Sequence, residues 1–305
     1  MNISYGWVSI VWLLASWLSL AGEASASPCL RDGDRVVLLG DTFIEREGDQ
    51  GFIEAALVAS HPDASLTIRN LGWSGDTVWA ESRGVFDPPA KGYARMLELV
   101  RELSPSVIFI AYGRNESFQG PGGVAAFRDQ LGTLCDDLRS AAANAEARDV
   151  RLVLVTPHAF DGPEAKQRNA SLAEYCGAIR DTAAAKQAGL VDLFANLAAE
   201  LPAGTPATDN GVHLSAAGYA AAARVFATTC GMPLPADFVA RSAEIRHLVV
   251  DKNRLFFHRW RPANETYIFL FRKHEQGNNA IEIPQFDPLV EAAEAKVRAA
   301  ARALR

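Results

Sequence analysis

Apolar residues along the chain fall into short blocks separated by longer amphipathic stretches. Arg35-Val-Val-Leu-Leu39 is the first block, and it ends in Gly40-Asp41, which predicts a strand stopping in a turn. From Gln50 to Ser60 the spacing becomes helical, with Phe52, Ile53, Ala56 and Leu57 on one face. Leu66-Thr-Ile68 predicts a second short strand, closed by the Gly-rich stretch Asn70 to Gly75. A helix is expected over Tyr93 to Leu103, stopping before Pro105. Val107-Ile-Phe-Ile-Ala-Tyr112 is apolar at every position, as in a strand buried on both faces at the centre of a parallel sheet. A long Ala- and Leu-bearing helix follows over 122–146, then a fourth strand, Arg151-Leu-Val-Leu-Val-Thr156. Another helix covers about 165–187, and Leu190-Val-Asp-Leu193 is the fifth strand. Ser215 is placed to cap a helix over 216–229.

Five short apolar strands alternating with helices imply an α/β fold with a doubly wound parallel sheet. Sites in such sheets lie at the carboxyl ends of the strands. Gly40-Asp41-Thr42, Asn70 to Gly75 and Gly113 to Glu116 are therefore expected to converge on one edge. Beyond residue 236 the character changes to a segment dense in aromatics and arginine, Arg254 to Arg261, and a terminal helix over Pro288 to Arg305. A piece of that size holds an independent core poorly, so residues 236–305 read as an extension packed on a main domain of 27–235.

The N-terminus stands apart. An apolar run from Trp7 to Ala21 is followed by Ala24-Ser25-Ala26, the small-x-small pattern of a signal peptide, so 1–26 is expected to be removed. The lead Met1 to Gly6 carries no Lys or Arg, which leaves an uncleaved N-terminal anchor as the rival reading. Both place the remainder outside the cytoplasm, periplasmic or secreted, with no stable membrane span once the segment is cleaved. Net charge is −6 and there is no long basic block, which argues against nucleic acid as a partner. Cys29, Cys135, Cys176 and Cys230 form no CxxC pair, and their pairing is left open. His274-Glu275 is followed by Asn278 where a second His would be needed, so neither a metal nor any other cofactor is expected.

The blocks at the strand ends carry the chemistry. Gly40-Asp41-Thr42, Asn70…Ser74-Gly75-Asp76-Thr77, Gly113-Arg114-Asn115-Glu116 and Asp209-Asn-Gly-Val-His213 resemble, in order, the four blocks of the SGNH (GDSL-like) hydrolase superfamily. The resemblance spans about residues 35–230 and implies a flavodoxin-like five-stranded sheet of SGNH-hydrolase type with a C-terminal extension. It also implies roles: Thr42 as nucleophile in place of the family's Ser, with its own N–H, the Gly75 N–H and the Asn115 side chain as oxyanion donors. His213 becomes the base. The acid that orients it usually sits three residues earlier, at Asn210, with Asp209 one place further back; the role is open between them, and Asp209 is preferred for its charge.

Elementary chemistry agrees with these roles. Acyl transfer needs a hydroxyl with a base in reach and donors aimed at the developing oxyanion. The methyl of Thr42 restricts its χ1, and an Asn at the acid position cannot stabilise an imidazolium as a carboxylate does. Asp41 reads as a cap for the segment after it. Arg114 can bind an anionic group on a substrate, though pairing with Glu116 or Asp76 is preferred; likewise Phe256 to Arg261 can stack on sugar rings, though packing within the extension is preferred. The expected function is an exported esterase removing O-acyl groups, acetyl first among them, from a carbohydrate or other small ester. The alternatives are an inactive glycan- or partner-binding protein and an O-acetyltransferase.

Overall fold

The computed structural model describes residues 29–143, 149–275 and 279–304. The expected signal segment lies outside them. Five parallel strands, β1 (Arg35–Gly40), β2 (Thr67–Gly72), β3 (Val107–Ala111), β4 (Arg151–Thr156) and β5 (Gly189–Asp192), form one sheet in the order β2-β1-β3-β4-β5. The expected fold class is the one observed. The order reverses between β1 and β3, and the loops after these two strands open a crevice at the sheet's carboxyl edge.

The helices are α1 (Thr42–Gln50), α2 (Phe52–Ser60), α3 (Pro89–Leu103), α4 (Val124–Ala142), α5 (Ala165–Ala185) and the single turn α6 (Leu193–Asn196). There follow α7 (Ala216–Thr229), the turn α8 (Phe238–Arg241), α9 (Ala243–Trp260), the turn α10 (Glu265–Ile268) and α11 (Phe286–Ala303). Strand side chains alternate between two cores. Val36, Leu38 and Phe109 face α2, α7 and α9, while Val37, Leu39, Ile108 and Ile110 face α3, α4 and α5.

Two boundaries depart from the periodicity. The chain does not idle in a turn after β1: α1 starts at once, capped by Asp41, whose carboxylate accepts the Phe43 N–H at 2.9 Å. Only Phe43 and Ile44 are apolar on its inner face, and the third buried position is Glu47, so α1 carries almost no hydrophobic signal. From α1 the Glu47 carboxyl reaches the N-terminus of α2 and accepts the N–H groups of Ile53 (2.6 Å) and Glu54 (3.2 Å). The second strand also runs on through Asn70-Leu71-Gly72, where a turn was expected. There Gly72 lies so close to α1 that a Cβ would sit 2.0 Å from the Glu45 nitrogen.

The C-terminal helices close the sheet's β2 edge with charge. The Ile68 N–H donates to Glu294 of α11 at 3.0 Å, and the Ile68 carbonyl accepts from Lys252 of α9 at 2.8 Å. Lys252 is fully buried and pairs with Glu54 of α2 at 2.6 Å. Charged groups on an edge strand's free N–H and C=O block the addition of another strand.

Candidate active site

Thr42 is the first residue of α1, at the carboxyl end of β1. Its hydroxyl therefore lies at a helix N-terminus, where unpaired backbone N–H groups favour developing negative charge. Gly75 adopts φ +73°, a left-handed conformation that a Cβ would strain, and this turns its N–H onto Thr42 Oγ1 at 3.0 Å. Asn115 donates through Nδ2 to the Asp76 carbonyl at 2.7 Å, which ties the loop after β3 to the loop after β2. One amide N–H of Asn115 remains for a substrate. Thr42, Gly75 and Asn115, the expected nucleophile and two of the three expected oxyanion donors, thus come together at one strand edge.

Buried polar networks hold these loops. Asp76 accepts from Arg83 Nε at 2.6 Å and from the Tyr112 hydroxyl at 2.8 Å, and Arg83 also donates to the Leu71 carbonyl at 2.8 Å. Glu116 accepts the N–H groups of Val78 (2.8 Å) and Gly113 (2.9 Å), so its carboxyl bridges the loops after β2 and β3. Burial pushes it up to about 7, with Asp41 adding to the rise. Asp41, the cap beneath Thr42, is raised to about 6 by burial.

His213 stands on the loop before α7, with Ser215 capping that helix as expected (3.1 Å to the Gly218 N–H). Asn210 is its partner. The Asn210 side-chain oxygen accepts the backbone N–H groups of Val212 (3.1 Å) and His213 (2.9 Å), which leaves its NH₂ facing His213 Nδ1 at 3.2 Å. This corrects the preference for Asp209, whose carboxylate turns away to Arg46 at 3.6 Å. The reason is local. Asn210 closes an Asx-type turn on its own loop, and that turn aims residue 210, not 209, at the ring.

The amide orientation has a chemical consequence. With an N–H donor on Nδ1, the neutral ring keeps its proton on Nε2, whereas a general base needs a free lone pair there. Burial, together with Arg46 and Arg114, holds the His213 pKa below the ordinary imidazole value, against a smaller opposing pull from Asp209. Arg114 pairs with neither Glu116 nor Asp76, contrary to expectation. Its guanidinium donates to the His158 carbonyl and stacks on Phe160, 4.4 Å from the ring centroid. Its neighbour His158 is fully enclosed and kept neutral by burial and by Arg114.

Residues 38–221 match the model of the GDSL-like Lipase/Acylhydrolase family. The chain belongs to that family. Solved structures agree on the fold. An acetylxylan esterase, Axe2 from Geobacillus stearothermophilus, is 20% identical, with a TM-score of 0.51 over 66% of this chain and 95% of its own. A putative GDSL-like lipase from Parabacteroides merdae gives 0.55 at 16% identity, over 67% and 98%. An alpha/beta hydrolase, LAE5 from the metagenome of Lake Arreo, gives 0.50 at 19%, over 68% and 100%. No curated protein matches the sequence.

For a member of this family, three side chains near the site were not legible from the blocks. Arg46 lies one turn along α1 from Thr42, Glu45 holds the loop bearing Gly75, and Arg261 reaches Glu45 from the extension. The first two share a turn with Thr42, and only recognising α1 as a helix would have shown it.

Proposed function

We propose that the protein is an exported esterase that removes O-acyl groups, acetyl first among them, from a carbohydrate. Thr42 Oγ1 attacks the ester carbonyl, and Thr42 N–H, Gly75 N–H and Asn115 Nδ2 hold the oxyanion. His213 acts in its Nδ1-protonated tautomer, which requires the Asn210 NH₂ to give up its bond to Nδ1: Nε2 then takes the hydroxyl proton, returns it to the leaving alcohol, and activates water to hydrolyse the acyl-enzyme. The observation that carries this reading is the 3.0 Å contact between Gly75 N–H and Thr42 Oγ1 at the start of α1, next to the Asn115 link. Export is supported by the Ala24-Ser25-Ala26 pattern after an apolar run, and no helix among the described residues is long and apolar enough to cross a membrane.

A second reading, a binding protein that reuses the cleft, is favoured by one observation: the Asn210 NH₂ on His213 Nδ1 selects the tautomer a base cannot use. Hydrolysis of p-nitrophenyl acetate and of acetylated xylo-oligosaccharides separates the two. Activity lost in Thr42→Ala and in His213→Ala, and kept or raised in Thr42→Ser, supports the esterase. Wild type no faster than both alanine variants supports the binding protein.

A further inference from the structure

We propose that Arg261, outside the family's blocks, is a positioning residue for the Gly75 oxyanion donor; the catalytic part of this rests on the esterase reading. Arg261 follows the last residue of α9 and donates through Nη1 to Glu45 Oε2 at 2.5 Å. Glu45 lies three residues after Thr42 on α1, and the same carboxylate accepts the Ser74 N–H at 2.9 Å and the Ser74 hydroxyl at 2.7 Å. Ser74 immediately precedes Gly75, whose N–H meets Thr42 Oγ1. One carboxylate therefore joins the nucleophile's helix to the donor's loop, and Arg261 fixes the rotamer of that carboxylate.

The guanidinium does a second thing. It lies over the Trp73 ring at 3.7 Å from the centroid and near Phe257 at 5.5 Å, while Trp260 meets Trp73 edge-on at 5.8 Å. Ser74 is thus held by Glu45 and Trp73 by the extension, the two residues just before Gly75. A planar cation that stacks and donates at once suits both contacts, and Lys reproduces only the charge. The aromatic and arginine segment serves the site without itself touching the reacting atoms.

Hydrogen exchange on residues 73–76 and kinetics on p-nitrophenyl acetate test this together. Arg261→Ala is expected to speed exchange at Ser74 and Gly75 by about tenfold or more, leaving β1 and β3 as protected as before, with Arg261→Lys between. Losing an oxyanion donor outright costs about 10²–10³ in kcat, so loosening one is expected to lower kcat about tenfold with KM unchanged. In a Glu45→Gln background the Arg261→Ala change should add little, because the link is already cut. Exchange at 73–76 unaltered by Arg261→Ala overturns the clamp, as does a fall in activity carried by KM alone. An inert wild type would refute the esterase reading while the exchange data still decide the clamp.

Independently, we infer that Cys29 and Cys230 join as a disulfide in an oxidising compartment. Cys29 precedes β1, and its Sγ lies 3.7 Å from the carbonyl of Thr229, the residue bonded to Cys230 at the end of α7. Cys230 is buried in the apolar core and Cys29 packs against the same cluster, each as a free thiol that shifts the other's ionisation. Cys135 and Cys176 are buried on α4 and α5, with thiols pushed up to about 12 by burial. Exchange with glutathione disulfide would take two protons and two electrons from the pair, form one S–S bond and release two glutathione thiols. Non-reducing peptide mapping after glutathione disulfide treatment should link the peptides bearing Cys29 and Cys230 and leave Cys135 and Cys176 free. Free Cys29 and Cys230, or any other pairing, would refute it.

Discussion

Asn210→Asp is the perturbation that bears most on how this site works. In the wild type the Asn210 NH₂ donates to His213 Nδ1 at 3.2 Å, and the amide oxygen is held by two backbone N–H groups. Aspartate keeps those two acceptor bonds and replaces the donor with a carboxylate oxygen, so Nδ1 carries the proton and Nε2 gains its lone pair. The reverse change in a serine-protease triad costs about 10⁴ in kcat. Asn210 is exposed, so solvent screens the new charge and the gain should be smaller. We expect kcat to rise about 10²-fold, equivalent to ~2.7 kcal/mol of barrier. The pH profile supplies a second readout. In the proposed mechanism His213 works when neutral, and burial with Arg46 and Arg114 keeps it neutral to lower pH than a free imidazole. A carboxylate beside Nδ1 stabilises the imidazolium, so the acid limb of kcat/KM should move up by about one pH unit. The assay is p-nitrophenyl acetate hydrolysis from pH 4 to 9, with circular dichroism as a control for folding. A folded Asn210→Asp variant with unchanged kcat and an unmoved acid limb would refute the tautomer argument.

Three further outcomes follow from the geometry. Asp209→Asn should leave kcat within about twofold of wild type, because that exposed carboxylate pairs with Arg46 and acts on His213 only from a distance; steady-state kinetics checks it. Glu47 is buried and raised to about 8, so it folds with its proton on, and the stability it contributes at acid pH is lost as pH climbs from its unfolded value through 8. Glu47→Gln should therefore melt higher than wild type at pH 9 and near it at pH 4, and an equal gap at both pH values would contradict this. Lys252→Met leaves Glu54 buried without its cation and the Ile68 carbonyl without its donor, and should cost about 3 kcal/mol in urea unfolding at pH 7.

The sheet was legible because its strands are apolar runs punctuated by glycine and proline, and every strand places its loop at the carboxyl edge. The places of Thr42, Gly75, Asn115 and His213 were legible because each follows or precedes an element that periodicity reveals, while the roles proposed for them come from the resemblance of their blocks to the family. What stayed hidden depends on side chains that break the hydrophobic pattern. Glu47 occupies a buried position of α1, so that helix looks polar, and with it the neighbourly relation of Thr42 and Glu45 disappears. Asp209 and Asn210 differ by one residue in a loop, and only the turn closed by the Asn210 side chain decides which of them meets the imidazole. The extension's contribution is longer in range still, since Arg261 meets Glu45 across more than 200 residues of chain.

Trapping the acyl-enzyme tests the central claim most directly. After rapid mixing with p-nitrophenyl acetate and acid quench, peptide mass spectrometry should find an acetyl group on Thr42 in the wild type, and none in His213→Ala. Ser74 is the competing hydroxyl in the same cleft, and its Oγ is already committed to Glu45 at 2.7 Å. Acetylation of Ser74, or substrate turnover with Thr42 unmodified under conditions where deacylation is slow, would contradict the account.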